Sequence, residues 1–536
     1  MPKTLLIGLD GATFTVLDPL VERGVMPFLG SLLDRGVRAP LRSVVPPLTP
    51  PAWTSLMTGK RPGEHGVFDF FQKESPDSEY FQFASSRDVG TSTIWSLAGE
   101  QGKRVISLNF PLMFPPPAVN GYVVPGGWVP WRQLRLGCHP AGLFDRLKAL
   151  PSFEPRELAL DMKLEAKAIE GCDAEEYADW IRLHTRREER WFDIVRHLLD
   201  EDDSVDLVGV MFDGPDKLQH LCWRFIDPET RPAAPNEWER EIIALCDDYF
   251  RRLDEIIAAL VELAGPDPTV VLASDHGFGP SWDVFYVNAW LEQHGYLAWA
   301  DDGEREALES TQVGFSRMTR HVFELDWRRT VAYAATPSSQ GIHIVRQRDG
   351  DDAPMSDETY EGLVTEIAAG LLEVRSPRTG RALVNEVHLR ATTFAGPYEQ
   401  LAPDVSLALA DGAALSILRS DTLVKTRAEA NGNHRPEGIF AAAGPALRSG
   451  ETLPEISIVD VAPLLLYSLD VPVPLDMSGR LPEAAFRPGE LERRPPQYVA
   501  GALPEEQPAV AEPEVVFDSD DEALILNRLR ALGYVE

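Results

Sequence analysis

Apolar runs alternate with amphipathic stretches along most of the chain. Thr4 to Leu9 is a short apolar run without polar alternation, the pattern of a strand buried on both faces, and it stops at Asp10-Gly11. Val105 to Asn109, Val205 to Phe212, Thr269 to Ala273 and Ile439 to Ala443 read the same way. Helical spacing fills the intervals: Phe14 to Arg23, Met26 to Arg35 with Pro27 near its start, Ala178 to Leu199, Trp238 to Leu263, and Val459 to Leu469. Buried strands separated by long helices predict an α/β fold with a mostly parallel central sheet and helices on both faces.

One stretch departs from this rhythm. Val44-Val45-Pro46-Pro47-Leu48-Thr49-Pro50-Pro51-Ala52-Trp53-Thr54-Ser55-Leu56-Met57-Thr58-Gly59 reads as a helix with Thr49 as its N-cap, prolines in its first turn and Gly59 as a left-handed stop. The Thr49 hydroxyl then lies at the positive end of a helix dipole, where an anion is favoured. By itself a threonine before a helix is a cap. Arg61-Pro62-Gly63-Glu64-His65-Gly66 follows as a tight loop, in which His65 is expected to tie the turn by hydrogen bonds rather than to bind a metal.

From about 300 the character changes to short β-like runs, Thr330 to Ala335, Ile342 to Arg346 and Val405 to Leu409, with one helix over Tyr360 to Glu373. This predicts an inserted α+β cap segment, 301–425, in a core made of 1–300 and 426–490. Residues 491–536 read as a Pro- and Glu-rich linker and a C-terminal amphipathic helix, with Ser519 and Glu522 as a capping box and Ile525, Leu529 and Leu532 as its stripe.

Composition narrows the class. At 536 residues, 44% hydrophobic and 25% charged, the chain is globular and too long for one simple core. A net charge of −33 argues against nucleic acid polymers and anionic membranes as partners of the whole surface. An anionic substrate would need a local positive source, and bound metal ions are the obvious one. Cys138, Cys172, Cys222 and Cys246 are too scattered for a disulfide framework or a thiolate zinc site. No apolar run reaches membrane-spanning length, and the amino-terminal run is too short for a signal peptide, so the expectation is a cytoplasmic protein.

Chemistry collects at the strand ends. Asp10 ends the first strand. Asp216 and His220, four apart, share one helix face just after the Val205–Phe212 run. Ser274-Asp275-His276-Gly277 ends another strand, where both Asp275 and His276 can reach one ion only if the backbone turns, which Gly277 permits. His434 stands before the last core strand. Carboxylates and imidazoles with one hydroxyl suit Zn²⁺ or Mn²⁺.

These motifs, in this order, resemble the alkaline phosphatase superfamily, most closely its type I phosphodiesterase/nucleotide pyrophosphatase family. Asp10, Thr49 before a helix ending Thr58-Gly59, the Pro62-x-x-His65-Gly66 loop, the Asp216-x-x-x-His220 pair, Ser274 to Gly277 and His434 carry the resemblance over most of 1–490. It implies an alkaline-phosphatase-like fold and two divalent ions, Zn²⁺ ahead of Mn²⁺. Asp10, Thr49, Asp275 and His276 would hold one ion, and Asp216, His220 and His434 the other. The implied reaction is hydrolysis of phosphodiester or pyrophosphate bonds in a small phosphorylated substrate, with Thr49 as nucleophile and a phospho-threonine intermediate.

The chain departs from that pattern at one position. Nucleotide pyrophosphatases carry Asn three residues after the nucleophile, and here it is Ala52, so substrate orientation differs. Lys60, Arg61 and Arg435 are candidates for a compensating phosphate contact. No Cys/Ser-x-Pro-x-Arg sequence is present, which argues against a sulfatase. A phosphomutase of the same superfamily is the alternative reaction; a metal-binding scaffold without catalysis, or a partner-binding protein, is the alternative of another class. Oligomeric state is not legible in the sequence.

Overall fold

The computed structural model describes residues 3–73, 81–127, 129–159, 174–300, 324–336, 338–348 and 350–501. The expected C-terminal helix, with Ser519, Glu522, Ile525, Leu529 and Leu532, lies outside the described residues, as does Cys172.

A nine-stranded sheet organises the molecule. Across it run Glu451–Thr452, Val37–Arg42, Glu437–Ala443, Thr269–Ala273, Thr4–Leu9, Leu207–Phe212, Val105–Leu108 and Gly121–Val124, with Ile456–Ser457 also paired to Val37–Arg42. Thr4–Leu9 is parallel to both of its neighbours. Glu437–Ala443 is the exception, antiparallel to the strands on either side. Leu5, Ile7 and Leu9 belong to one core, packed with the long helices Ala174–Glu201, Gly214–Ile226 and Glu237–Leu263. Leu6 belongs to the opposite core, packed with the helices Thr49–Thr58 and Val461–Ser468. Side chains alternate across a strand, so each face carries its own helical layer.

Register sets the working edge. Leu9 is level with Phe212, and Gly8 with both Met211 and Ala273. Asp10, Asp213 and Ser274 therefore leave the sheet at one height, at the carboxyl ends of three adjacent parallel strands, where open α/β sheets bind ligands. Gly8 lets the Thr49 helix approach this edge. A Cβ there would stand 2.6 Å from Cη2 of Trp53, a fully buried ring on that helix.

A second layer of β structure stands beside the sheet. Gly277–Tyr286 pairs antiparallel with Val424–Arg435 and parallel with Ala414–Ser416. A separate sheet holds Ala332–Tyr333, Gly341–Ile344, Val405–Leu409 and Val384–Leu389 in that order, antiparallel throughout, and shares a core with the helix Asp357–Leu372. Leu48, Phe70 and Phe71 of the main body pack into that same core. Among the described residues no helix is long and apolar enough to cross a membrane.

Candidate metal centre

Five elements deliver the seven side chains singled out in the sequence. The Thr4–Leu9 strand hands over Asp10, and the helix Gly214–Ile226 presents Asp216 and His220 one turn apart. Asp275 and His276 follow Thr269–Ala273. His434 sits on the Val424–Arg435 strand, in register with Phe278, and Thr49 begins its helix. All seven are buried.

They fall into two groups. Asp10, Asp275 and His276 offer ligand atoms within 4.8 Å of one another, and His276 Nε2 lies 3.2 Å from Asp275 Oδ2 and 3.6 Å from Asp10 Oδ1. Thr49 Oγ1 is 3.4 Å from the same Nε2. In the other group, Asp216 Oδ1 is 3.2 Å from His434 Nε2 and 3.4 Å from His220 Nε2, and the two imidazole nitrogens are 3.1 Å apart. His276 stacks on His434 between the groups and also lies within 4.8 Å reach of Asp216 and His434.

Backbone carbonyls orient the rings. His276 Nδ1 faces Gly277 O at 3.2 Å, and His434 Nδ1 faces Pro47 O at 2.9 Å. A neutral ring that donates from Nδ1 turns the Nε2 lone pair inward, the tautomer a metal ligand needs. Gly11 N–H donates to Asp275 Oδ1 at 3.1 Å and fixes that carboxylate. Asp10 Oδ1, Asp216 Oδ1 and Asp275 Oδ2 are buried with no hydrogen-bond donor. Three converging carboxylate oxygens and inward imidazole lone pairs form a donor set that fits divalent ions.

The electrostatics follow. Burial, then the charges of Asp275 and Asp216, push the Asp10 carboxyl well above its ordinary value. Burial raises Asp275 to about 7, partly offset by the Gly11 N–H. Burial would raise Asp216 too, but Lys217, His220 and His434 together hold it well below the carboxylate range. Burial keeps His220 and His276 neutral by lowering them, with His434 adding to the effect on His276.

One local expectation is corrected. Thr49 is not the N-cap. Leu48 is, with extended backbone, and its carbonyl accepts from Ala52 N–H. Pro50 and Pro51 have no N–H to be capped, so the Thr49 hydroxyl is released from that duty and turns to His276. The backbone does bend at Asp275 and His276, as expected, although Gly277 itself is not in the left-handed region. It begins an extended strand and allows close approach instead, because a Cβ would stand 2.0 Å from Glu437 O.

His65 ties its loop as expected, with Nε2 2.9 Å from Ser55 Oγ and Nδ1 accepting from Val67 N–H. Two of the three candidate phosphate cations are engaged elsewhere. Lys60 pairs with Asp476 at 2.6 Å, and Arg435 donates to the carbonyls of Pro280 and His434. Arg61 is exposed at the start of the short helix Pro62–His65. The sequence reading passed over Lys217, which is 2% exposed and bonds Asp216 Oδ2 at 3.1 Å. Its only signal was its place inside the Asp216-x-x-x-His220 spacing.

A family model described as type I phosphodiesterase / nucleotide pyrophosphatase matches residues 4–414. No curated protein matches the chain. Among solved structures, murine ectonucleotide pyrophosphatase/phosphodiesterase 5 is similar at 14% identity, over 88% of this chain and 95% of that one, with a TM-score of 0.49. Phosphonoacetate hydrolase from Sinorhizobium meliloti 1021, solved with phosphonoformate, is similar at 18% identity over 88% and 95%, with a TM-score of 0.46.

Proposed function

The chain belongs to the type I phosphodiesterase/nucleotide pyrophosphatase family, a family of metal-dependent phosphoric ester hydrolases, and from that membership we propose a two-metal reaction on a small phosphorylated substrate with Thr49 as nucleophile. One observation carries the reading: a buried hydroxyl, released from capping, faces one of two adjoining groups of buried carboxylates and imidazoles.

Asp10, Thr49, Asp275 and His276 would hold one divalent ion, and Asp216, His220 and His434 the second, with Zn²⁺ preferred to Mn²⁺. When bound, such a pair supplies Lewis-acid stabilisation of the attacking and leaving oxygens of a phosphoryl transfer. Thr49 Oγ1 bonds phosphorus as the bond from phosphorus to the ester or anhydride oxygen breaks, and the hydroxyl proton ends on the departing oxygen. Water then bonds phosphorus, the Oγ1–phosphorus bond breaks, and the hydroxyl is restored. Gly277 O and Pro47 O keep His276 and His434 in the tautomer this requires. The short helix dipole adds about 0.3–1 kcal/mol to phosphate binding, far less than the ions.

We read 1–300 and 426–490 as the catalytic core and 301–425 as a cap over it. We read the location as cytoplasmic, in keeping with a sequence of 536 residues that carries only four, widely scattered cysteines. The test is turnover of aryl phosphate mono- and diesters by purified protein loaded with zinc or manganese, with a chelated control, and mass spectrometry of the denatured enzyme for phosphate on Thr49. Metal-dependent turnover with label on Thr49 is expected. No turnover with either metal would overturn the reading.

A further inference from the structure

We propose that Lys217 sets the charge preference of this site, biasing it toward a dianionic terminal phosphoryl group over the monoanionic phosphorus of a diester. The proposal rests on the hydrolase reading above and narrows its substrate class.

Lys217 is the buried lysine among the described residues, and it lies inside the centre. Its Nζ bonds Asp216 Oδ2 at 3.1 Å, while Oδ1 of the same carboxylate faces His220 and His434. The ammonium therefore takes one oxygen and leaves the other to the imidazole pair. Asp216 in turn has ligand atoms within 4.8 Å of those of His276, which belongs to the other group. The lysine therefore stands beside the point where both halves of the centre meet.

Charge balance gives that ammonium its consequence. Three buried carboxylates, Asp10, Asp216 and Asp275, set against two divalent ions leave one net positive charge, since ligating imidazoles are neutral. That matches the single negative charge of a phosphodiester. Lys217 makes the surplus two, matching a phosphoryl group that carries two charges above its second pKa of about 6. In a buried site such a difference is weakly screened. Lys60 is paired with Asp476 and the Arg435 guanidinium is directed to the carbonyls of Pro280 and His434, so Lys217 is the cation that touches a ligand carboxylate directly.

The experiment compares the full-length zinc-loaded parent with Lys217→Gln, which keeps an N–H donor for Asp216 and removes only the charge, and Lys217→Arg, which keeps the charge. At about pH 8, above the second phosphate pKa, kcat/KM is measured for an aryl phosphate monoester and an aryl methyl diester. Binding of inorganic phosphate and of dimethyl phosphate is measured by calorimetry, and metal content by mass spectrometry. In the Gln variant the monoester should lose about tenfold more than the diester, with inorganic phosphate weakened by a similar factor and metal content retained; Arg should preserve the parent ratio. An equal loss on both esters, or an unchanged ratio, overturns the proposal and leaves Lys217 a structural counter-ion. Should the Gln variant not fold, the parent decides alone: equal binding of inorganic and dimethyl phosphate overturns it. A parent inactive on both esters with zinc or manganese fails the hydrolase reading, whereas an active parent whose ratio ignores Lys217 fails only this one.

Discussion

The imidazoles of His276 and His434 stack with centroids 3.6 Å apart and planes inclined by 22°. One follows a parallel strand of the main sheet, and the other rides a strand paired to Gly277–Tyr286. The stack is the point at which the two ligand groups meet, so the second group depends on the long Val424–Arg435 strand.

His434→Ala tests that dependence. It removes an inward Nε2 from the Asp216 group and leaves Asp10, Asp275 and His276 intact. Metal content should fall from two ions toward one per chain by mass spectrometry, with turnover lost. Content unchanged at two would remove His434 from the ligand set.

Gly8→Ala should act at a distance. The new methyl would stand 2.6 Å from the Trp53 ring and 3.1 Å from Met211 Cγ, both buried. Overpacking of this kind costs about 1–3 kcal/mol. Because Trp53 belongs to the Thr49 helix, turnover should fall together with the melting temperature. A variant that melts lower at full activity would show that the helix tolerates displacement.

Much of this was legible locally, and the reason is physical. Fully buried parallel strands are unbroken apolar runs, so Thr4–Leu9, Leu207–Phe212 and Thr269–Ala273 announce themselves, and an acid just past each run is conspicuous. Among the strands that went unread, three have antiparallel partners far away in the sequence. Val37–Arg42 carries two arginines and a proline. Gly277–Tyr286 carries Gly279 and Pro280, and Val424–Arg435 includes Asn431-Gly432-Asn433. Val37–Arg42 does alternate, with Val37, Ala39 and Leu41 buried, but the run is only six residues and Pro40 interrupts it; in the other two, Gly, Pro and Asn break the period. Lys217 stayed hidden because a helix neighbour of Asp216 normally points about 100° away from it, and only its flexible stem brings Nζ back.

Stability should carry a pH signature from Asp69. Its carboxyl is buried, accepts from Thr336 and Ser338 hydroxyls and Phe70 N–H, and is raised by burial to about 6 against 3.8. Between those values the unfolded chain has released the proton that the folded chain keeps. Stability therefore falls as pH rises from about 4 to about 6, by about 3 kcal/mol in total. Asp69→Asn has no proton to lose, so its stability relative to the parent should climb across that window and stay level above it. Denaturant melts of both proteins at each pH measure the difference, and a constant difference would reject the assignment.

Thr49 separates chemistry from folding most sharply. A capping threonine would lose about 0.5–2 kcal/mol on replacement by alanine, but Leu48 is the N-cap here and the Thr49 side chain makes no cap bond. Among the described residues its hydroxyl approaches His276 Nε2 at 3.4 Å, at the outer limit of a hydrogen bond. Thr49→Ala should thus change stability by less than about 1 kcal/mol, keep most of the metal and abolish turnover, because the attacking atom is gone. Thr49→Ser restores a hydroxyl on the same carbon and should retain activity, while Thr49→Val keeps the shape without the oxygen and should be as inactive as Ala. Steady-state turnover of an aryl phosphate by the four proteins at matched metal loading, with melts alongside, decides the matter. An Ala or Val variant that turns over at the parent rate would reject Thr49 as nucleophile and move the attack to water.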